Sequence, residues 1–255
     1  MKKLSILFLV CVAFAGTAFA GTFKITNVYD KPTEIKAYEK DSGQYLWKCT
    51  DTFTTFEADG QTFIRFTEDG EGQYGNDKKF RTWKADSTYL YENGTMVPQS
   101  TRIEFQDKDG VVVGTLRTTF DAKNGKVICK LLNDKKEFDF KEGLIDKDGL
   151  GVAFMNYSSD IQNEFAFPML TNEPSFYYMT LVDKGKEIII VDGKEVECCK
   201  FQMVPDLGFL GIFAPFVPKT FFWYRAEFPH EFVRYEGLES GLNTPYIVMK
   251  VGEQK

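Results

Sequence analysis

Closely spaced Asp-Gly and Asn-Gly dipeptides constrain this chain more than any other sequence feature. Both dipeptides accept the positive φ angles that a two-residue hairpin turn requires, so each marks a place where the chain can reverse. The seven dipeptides are Asp59-Gly60, Asp69-Gly70, Asn93-Gly94, Asp109-Gly110, Asn124-Gly125, Asp148-Gly149 and Asp192-Gly193. Short runs of β-branched and aromatic residues with a period of two lie between them, as in half-buried strands. Hairpin after hairpin predicts an antiparallel sheet.

The predicted fold class is mostly β: a single strongly curved antiparallel sheet or incomplete barrel with one or two short helices. Residues 21–255 are predicted to form one domain, because the 235 residues left after removal of the first 20 from 255 suit one β domain. A helix is predicted at Leu150–Ser159, with Asp146 or Asp148 as its N-cap.

Two segments are harder to assign. Thr22–Tyr38 is interrupted by Pro32 and is either an edge strand or an irregular arm. Glu71–Lys79 is rich in glycine and charge and is predicted to be a loop.

Residues 1–20 have the organisation of a secretory signal peptide. Lys2 and Lys3 form a basic start, Leu4–Ala15 is apolar, and Ala18–Ala20 fits the small-x-small cleavage pattern. An uncleaved anchor is the alternative, although the apolar run is short for a membrane span. We therefore expect a periplasmic or secreted protein, cleaved near Ala20, with no transmembrane segment in the mature chain.

The charge of the mature chain limits its partners. The 31 basic residues fall to 29 when Lys2 and Lys3 are removed, against 37 acidic ones, so the net charge is about −8. Phosphate binding needs a basic footprint, and the same balance opposes docking on anionic lipid headgroups. We expect no nucleic-acid partner.

Four cysteines remain in the mature chain: Cys49, Cys129, Cys198 and Cys199. Export to an oxidising compartment favours one or two disulfides, whereas a chain of this length folds without them, so buried thiols are the alternative. Cys198 and Cys199 are adjacent and point to opposite faces if they lie on a strand, so they are not expected to bond to each other.

The most apolar segment of the mature chain is Val204–Pro218, which has a single charged residue, Asp206. Three prolines and two glycines prevent a long helix or a central strand there. It is a plug over the open end of the sheet, a flap over an apolar cavity, or a loop that contacts a membrane or a partner. The side chains predicted to line or cover that cavity are Phe209, Phe213, Phe216, Phe221, Phe222 and Trp223.

Catalytic and metal motifs are weak. His230 is the only histidine, and the chain has no Gly-x-Ser-x-Gly motif to present a nucleophile, so His230 is interpreted as a bend residue. Arg225 and Arg234 beside it either form cross-strand ion pairs or, with His230, contact a ligand's polar group. One histidine and scattered cysteines match no zinc motif, so we expect no metal site, no cofactor and no catalytic residues.

Two Asp-Lys-Asp-Gly tetrads, Asp107–Gly110 and Asp146–Gly149, resemble the start of a calcium loop. The bidentate glutamate required at its twelfth position is replaced by Thr118 in one and Tyr157 in the other. Both tetrads are therefore predicted to be β-turns.

The C-terminal third carries a family resemblance. Lys186–Met203, Phe222–Tyr224 and Pro229–Gly237 resemble a group of exported bacterial proteins of unknown function. That group is similar in layout to the periplasmic LolA/LolB-like lipoprotein carriers, whose curved antiparallel sheet closes partly around a helical plug and holds an acyl chain. The receptor member of that class needs a lipid-anchored cysteine, and Cys11 follows Val10 where a small residue is wanted.

These observations lead to one functional expectation and two alternatives. We expect a non-enzymatic periplasmic protein that binds an apolar ligand, such as a lipid, or a lipid-linked partner in the concave face of the sheet. The first alternative is a structural or interaction protein of the cell envelope, with a protein partner and a filled core. An enzyme acting on a small apolar substrate ranks last.

Overall fold

The computed structural model describes residues 21–157, 164–206, 208, 217–241 and 244–254. The predicted signal peptide lies outside the described residues, and so do Phe209, Phe213 and Phe216. The elements are β1 Thr33–Glu39, β2 Tyr45–Ala58, β3 Gln61–Gln73, β4 Phe80–Glu92, β5 Thr95–Asp107, β6 Val112–Asp121, β7 Lys126–Leu131, β8 Lys135–Asp139, β9 Ile145–Asp146, a 3-10 turn Lys147–Gly149, α1 Leu150–Met155, β10 Glu164–Leu170, β11 Phe176–Val191, β12 Lys194–Pro205, β13 Thr220–Arg225, β14 Phe232–Leu238 and β15 Tyr246–Lys250.

The fifteen strands in the described ranges form one sheet in the order β8-β7-β6-β5-β4-β3-β2-β1-β15-β14-β13-β12-β11-β10-β9. Neighbouring strands are antiparallel except β9 and β10, which are parallel. The sheet is curved but not closed, with β8 and β9 at its edges. The predicted fold class is therefore confirmed.

The turn dipeptides act as predicted where two-residue hairpins form. Asp59, Asn93 and Asp192 all have positive φ angles of about 50° in the turns that follow β2, β4 and β11. Such turns fix the register of the strands they join. Strands β1, β3, β5, β7, β10, β12 and β14 finish at one end of the sheet, the upper end, and β2, β4, β6, β11 and β13 finish at the other, the lower end.

Helix α1 lies inside the curve of the sheet. Phe154 is 1% exposed, and its ring lies 4.9 Å from Phe222 of β13 and 6.0 Å from Phe167 of β10. Just before the helix, Asp146 accepts a hydrogen bond from Tyr89 of β4. Strands nine places apart in the order, β4 and β10, thus meet around one helical segment, which requires the sheet to curve.

An N-terminal arm, residues 21–32, crosses the lower end of the sheet. Gly21 N donates to Ala166 O of β10 at 2.8 Å, and Ile25 N donates to Gly94 O in the turn after β4 at 2.8 Å. Phe23 packs against Phe154 between these points. The segment from 22 to 38 is therefore an arm followed by β1, which pairs with β2 and β15 and is not an edge strand.

Asn156 fastens this arm to α1. Its Oδ1 accepts from Thr26 N and Asn27 N, both at 2.8 Å, while its Nδ2 donates to Asn27 O at 2.7 Å and to Val152 O at 2.8 Å. One side chain thus satisfies backbone groups of two segments that are about 130 residues apart.

Asn156→Ala should therefore loosen the arm. Removing one partner leaves several part-buried backbone groups unpaired, at a cost of about 1–3 kcal/mol in the free energy of unfolding. Urea unfolding measures that cost, and amide exchange at Thr26 and Asn27 should accelerate. Asn133→Ala, at an exposed turn asparagine, serves as control. Unchanged exchange at both amides would contradict the assignment.

One loop prediction is wrong in part. The segment from 71 to 79 was expected to be a loop, but β3 continues to Gln73. A Cβ at Gly70 would overlap the Trp83 indole, and one at Gly72 would lie 2.5 Å from Leu46 O. Glycine is therefore required at both strand positions, because any side chain there would overlap a neighbouring residue.

Candidate functional site

A layer of polar side chains lies inside the sheet between α1 and the upper end. Asp51 of β2 and Glu68 of β3 face each other as cross-strand partners, and Cys49 lies two residues along on the same face. The Cys49 Sγ is 3.4 Å from Asp51 Oδ1. The sulfur and one oxygen of each carboxyl group lie within 4.8 Å of one another.

Trp83 of β4 orients this cluster. Its indole Nε1 donates a hydrogen bond to Glu68 Oε1. The ring occupies the space that a side chain at residue 70 would fill, so Gly70 permits the contact. Trp83 also packs edge-to-face on Trp47, with ring centroids 5.7 Å apart. The indole thus fixes the position of the Glu68 carboxyl group beside Asp51 and Cys49.

Burial dominates the electrostatics of the two acids. Each side chain keeps some accessible surface, but both lie inside the curve of the sheet, and the surrounding protein raises the pKa of Asp51 well above its ordinary value. The charge of Glu68 raises it further. Burial also raises the pKa of Glu68, against the opposing effect of Lys147. Burial likewise raises the pKa of the Cys49 thiol.

Lys147 enters the same layer from the 3-10 turn. Burial lowers the pKa of Lys147, but the neighbouring Tyr74, Glu68, Asp148 and Tyr235 raise it more, so the net direction is upward. The ammonium group is therefore held in its charged form. Glu239 closes the layer toward the upper end, accepting from Trp47 Nε1 at 2.6 Å and from Gly75 N at 2.9 Å.

A second polar group surrounds Asp146. Its carboxyl group accepts from Tyr89 Oη at 2.7 Å, Thr101 Oγ1 at 2.6 Å and Gly149 N at 3.2 Å. Burial, followed by the charge of Asp148, raises the pKa of Asp146 to about 7.

The predicted role of Asp146 as an N-cap is confirmed for the 3-10 turn that leads into α1. The predicted β-turn at this tetrad is wrong, whereas Asp107–Gly110 does form a turn, with Gly110 N bonded to Asp107 O.

The upper rim of the sheet is apolar. Of the eleven large apolar side chains that are exposed in the described part of the chain, eight lie at the upper end. They are Tyr45, Phe80, Val111, Val112, Val113, Leu132, Tyr177 and Tyr178. Tyr45 and Phe80 line one surface depression of about 420 Å³. We call these eight residues the upper rim.

The aromatic residues predicted on β13 do not share one face. Phe222 packs in the main interior cluster with Phe154 and Tyr224, whereas Phe221 and Trp223 pack in a separate cluster on the opposite face of the sheet. Side chains alternate along a strand, so the three cannot line one cavity together. The predicted grouping of these three side chains is therefore wrong, and of the three only Phe222 faces the interior cluster.

The predicted polar contacts lie away from the upper end. His230 sits in the turn between β13 and β14, with its Nδ1 3.0 Å from Arg225 O. Arg225 pairs with Glu231 at 2.9 Å, and Arg234 donates to Glu236. Arg225 and His230 therefore lie at the lower end of β13, and most of the apolar segment that precedes β13 lies outside the described residues. Arg225 and Glu231 pair across the β13–β14 turn, whereas Arg234 and Glu236 pair within β14.

The predicted disulfides are absent from the described part of the chain. Cys49 lies on β2 and Cys129 on β7, with four strands between them in the sheet. Cys198 belongs to the cluster that contains Trp223, while Cys199 packs against the interior cluster, so the two point to opposite faces as predicted.

Comparisons place the fold among known structures. No protein-family model matches the chain, and no curated protein matches it. The chain is similar to a β-barrel-like protein of a domain of unknown function from Brucella abortus, with a TM-score of 0.52 and 10% sequence identity. The match covers 88% of this chain and 96% of that chain. At this identity the likeness concerns the fold alone, and it defines the class as β-barrel-like.

Proposed function

We propose that the chain is an exported, non-enzymatic protein of the cell envelope that binds a lipid or the apolar part of a lipid-linked partner at its upper rim. The clustering of exposed apolar side chains at one end of the sheet carries this proposal. Exposed apolar patches on soluble domains usually mark interaction sites. At the lower end, the described residues include three exposed large apolar side chains, those of Phe56, Ile188 and Phe228.

The resemblance of the C-terminal third to exported proteins of lipoprotein-carrier layout supports an apolar partner. In such carriers a curved sheet surrounds a helical plug, and in this chain α1 packs inside the curve of the sheet. Because Val152, Ala153 and Phe154 are buried against the sheet around it, the rim is a better position for the partner than the concave face beside α1. The net charge of about −8 favours an uncharged apolar group over an anionic headgroup.

Export is supported by the signal-peptide pattern of residues 1–20, and the contacts of Gly21 are compatible with cleavage after Ala20. Gly21 N donates to Ala166 O, and a backbone ammonium group formed by cleavage after Ala20 would donate equally well. A Cβ at residue 21 would overlap the Phe165 ring, so glycine suits this position. In the described part of the chain, no helix is long and apolar enough to cross a membrane. Mass measurement of protein recovered from a periplasmic extract should give a chain that begins at Gly21.

Binding at the rim can be tested with an uncharged fluorescent acylglycerol. The mature protein should bind the probe, and a Tyr177→Ser/Tyr178→Ser double variant should bind about tenfold more weakly, since losing about 1.4 kcal/mol of apolar contact changes affinity tenfold. Phe80→Ser should also weaken binding. Phe228→Ser, at an exposed phenylalanine of the lower end, should leave it unchanged.

Two outcomes would contradict the proposal. The first is probe binding that responds equally to rim and lower-end variants. The second is no probe binding together with no lipid in an organic extract of the native protein, which would favour the second candidate. That candidate is a structural or interaction protein with a protein partner, and the close packing of α1 inside the sheet favours it.

A further inference from the structure

We propose that Cys49, Asp51 and Glu68 form a binding site for a thiophilic divalent cation such as Zn²⁺, with a fourth coordination position left open. The three ligand atoms lie within 4.8 Å of one another, and two of them are 3.4 Å apart. A tetrahedral zinc ion with bonds of about 2.0–2.3 Å places its ligand atoms roughly 3.5 Å apart. Small side-chain rotations would bring the three atoms to that spacing.

The charges around the cluster favour a cation. Among the described residues, no lysine or arginine pairs with Asp51; the acid's neighbours are Cys49 and the acids Glu68 and Asp148. Lys147 is the one ammonium group among the charges that act on Glu68. Three carboxyl groups around the cluster, those of Asp51, Glu68 and Asp148, thus stand against the ammonium group of Lys147. Buried charges require a partner, and a divalent cation would supply the missing positive charge.

The position of the Cys49 thiol also supports a metal site. Cys49 is 2% exposed, and its sulfur is directed at a carboxylate although buried cysteines ordinarily pack as small apolar residues. A sulfur ligand beside two carboxylates suits zinc-class cations and not calcium or magnesium, which prefer oxygen ligands alone.

One ligand of the proposed site, Glu68, is oriented by a neighbouring side chain, as ligands of metal sites commonly are. Trp83 Nε1 holds Glu68 Oε1, and Gly70 gives the indole its place. Hydrogen bonds of this kind orient ligands in metal sites and change metal affinity by about 10–100-fold.

The competing account is an acid pair, Asp51 and Glu68, that shares a proton and binds no metal. Metal binding would displace that proton and the Cys49 thiol proton, so affinity should fall as the pH is lowered.

Metal titration of the mature protein separates the two accounts. After treatment with a chelator, the protein should bind one Zn²⁺ per chain, and Zn²⁺ should raise the midpoint of thermal unfolding. With Co²⁺ as probe, a cobalt–thiolate charge-transfer absorption should appear. Cys49→Ser should abolish that absorption and weaken Zn²⁺ binding at least tenfold, and Asp51→Asn and Glu68→Gln should weaken it.

The control is Cys129→Ser, which removes another buried thiol that hydrogen-bonds to Thr118 on β6. It should leave the cobalt absorption and the Zn²⁺ stoichiometry unchanged. Trp83→Phe should weaken binding about tenfold while keeping the cobalt–sulfur absorption, because the indole orients a ligand without being one. No stoichiometric binding by the wild-type protein, or equal binding by Cys49→Ser, would overturn the proposal in favour of the shared proton. Variants are compared only where circular dichroism shows the native β spectrum.

Discussion

Phe154→Ala should lower the free energy of unfolding by about 3–5 kcal/mol, the usual cost of truncating a fully buried phenylalanine. The ring is 1% exposed and contacts Phe222 and Tyr224 of β13, Phe167 of β10 and Phe23 of the N-terminal arm. It therefore joins three parts of the chain that are distant in sequence. Truncation would leave an apolar cavity that the rigid sheet could fill only in part.

Urea unfolding followed by tryptophan fluorescence measures this effect as a lower midpoint with an unchanged slope. Phe56→Ala provides the matched control, because Phe56 is 40% exposed and stacks on Phe63 at the lower end of β2 and β3. That control should cost about 1 kcal/mol or less. A cost below about 1 kcal/mol for Phe154→Ala would show that α1 does not pack inside the sheet.

The antiparallel sheet could be predicted because its signals are local. A two-residue turn depends on the residues at that turn, and alternation depends on residues two apart. The Asp59-Gly60 turn also fixes the register of β2 and β3. Asp51 lies eight residues before Asp59 and Glu68 lies eight residues after Gly60, so the two are paired across the strands. The sequence therefore already implies that Asp51 and Glu68 are cross-strand partners and that Cys49 shares their face of the sheet. The usual zinc motifs do not reveal this group, because they are spacings of cysteine and histidine along the chain.

Other features could not be found this way because they depend on long-range packing. Nothing near Asp146 in sequence indicates that Tyr89 and Thr101 will surround it, since this contact requires the whole sheet to curve around α1. The predicted grouping of Phe221, Phe222 and Trp223 failed for a simpler reason. Side chains alternate along β13, so Phe222 faces the interior cluster and the other two face away from it.

The stability of the protein should increase as the pH falls from about 7 to about 4, because of Asp146. Its pKa is about 7 in the folded protein, raised first by burial and then by Asp148, against 3.8 for an ordinary aspartate. A group whose pKa is raised on folding stabilises the folded state fully below the unfolded pKa. That contribution is lost as the pH rises through the folded pKa. The difference corresponds to about 4 kcal/mol for this group.

Asp146→Asn tests the assignment because the amide stays uncharged across this range. Its free energy of unfolding, measured by urea unfolding between pH 4.5 and 8 with a chelator present, should rise less toward acid than that of the wild-type protein, and the remaining rise comes from Asp51 and Glu68, whose pKa values burial also raises. Asp139→Asn is the control: Asp139 is exposed, and Lys126 lowers its pKa, so its contribution has the opposite sign. That variant should keep the wild-type rise in stability toward acid. Parallel pH curves for the wild-type protein and Asp146→Asn would show that Asp146 is already ionised in the folded protein.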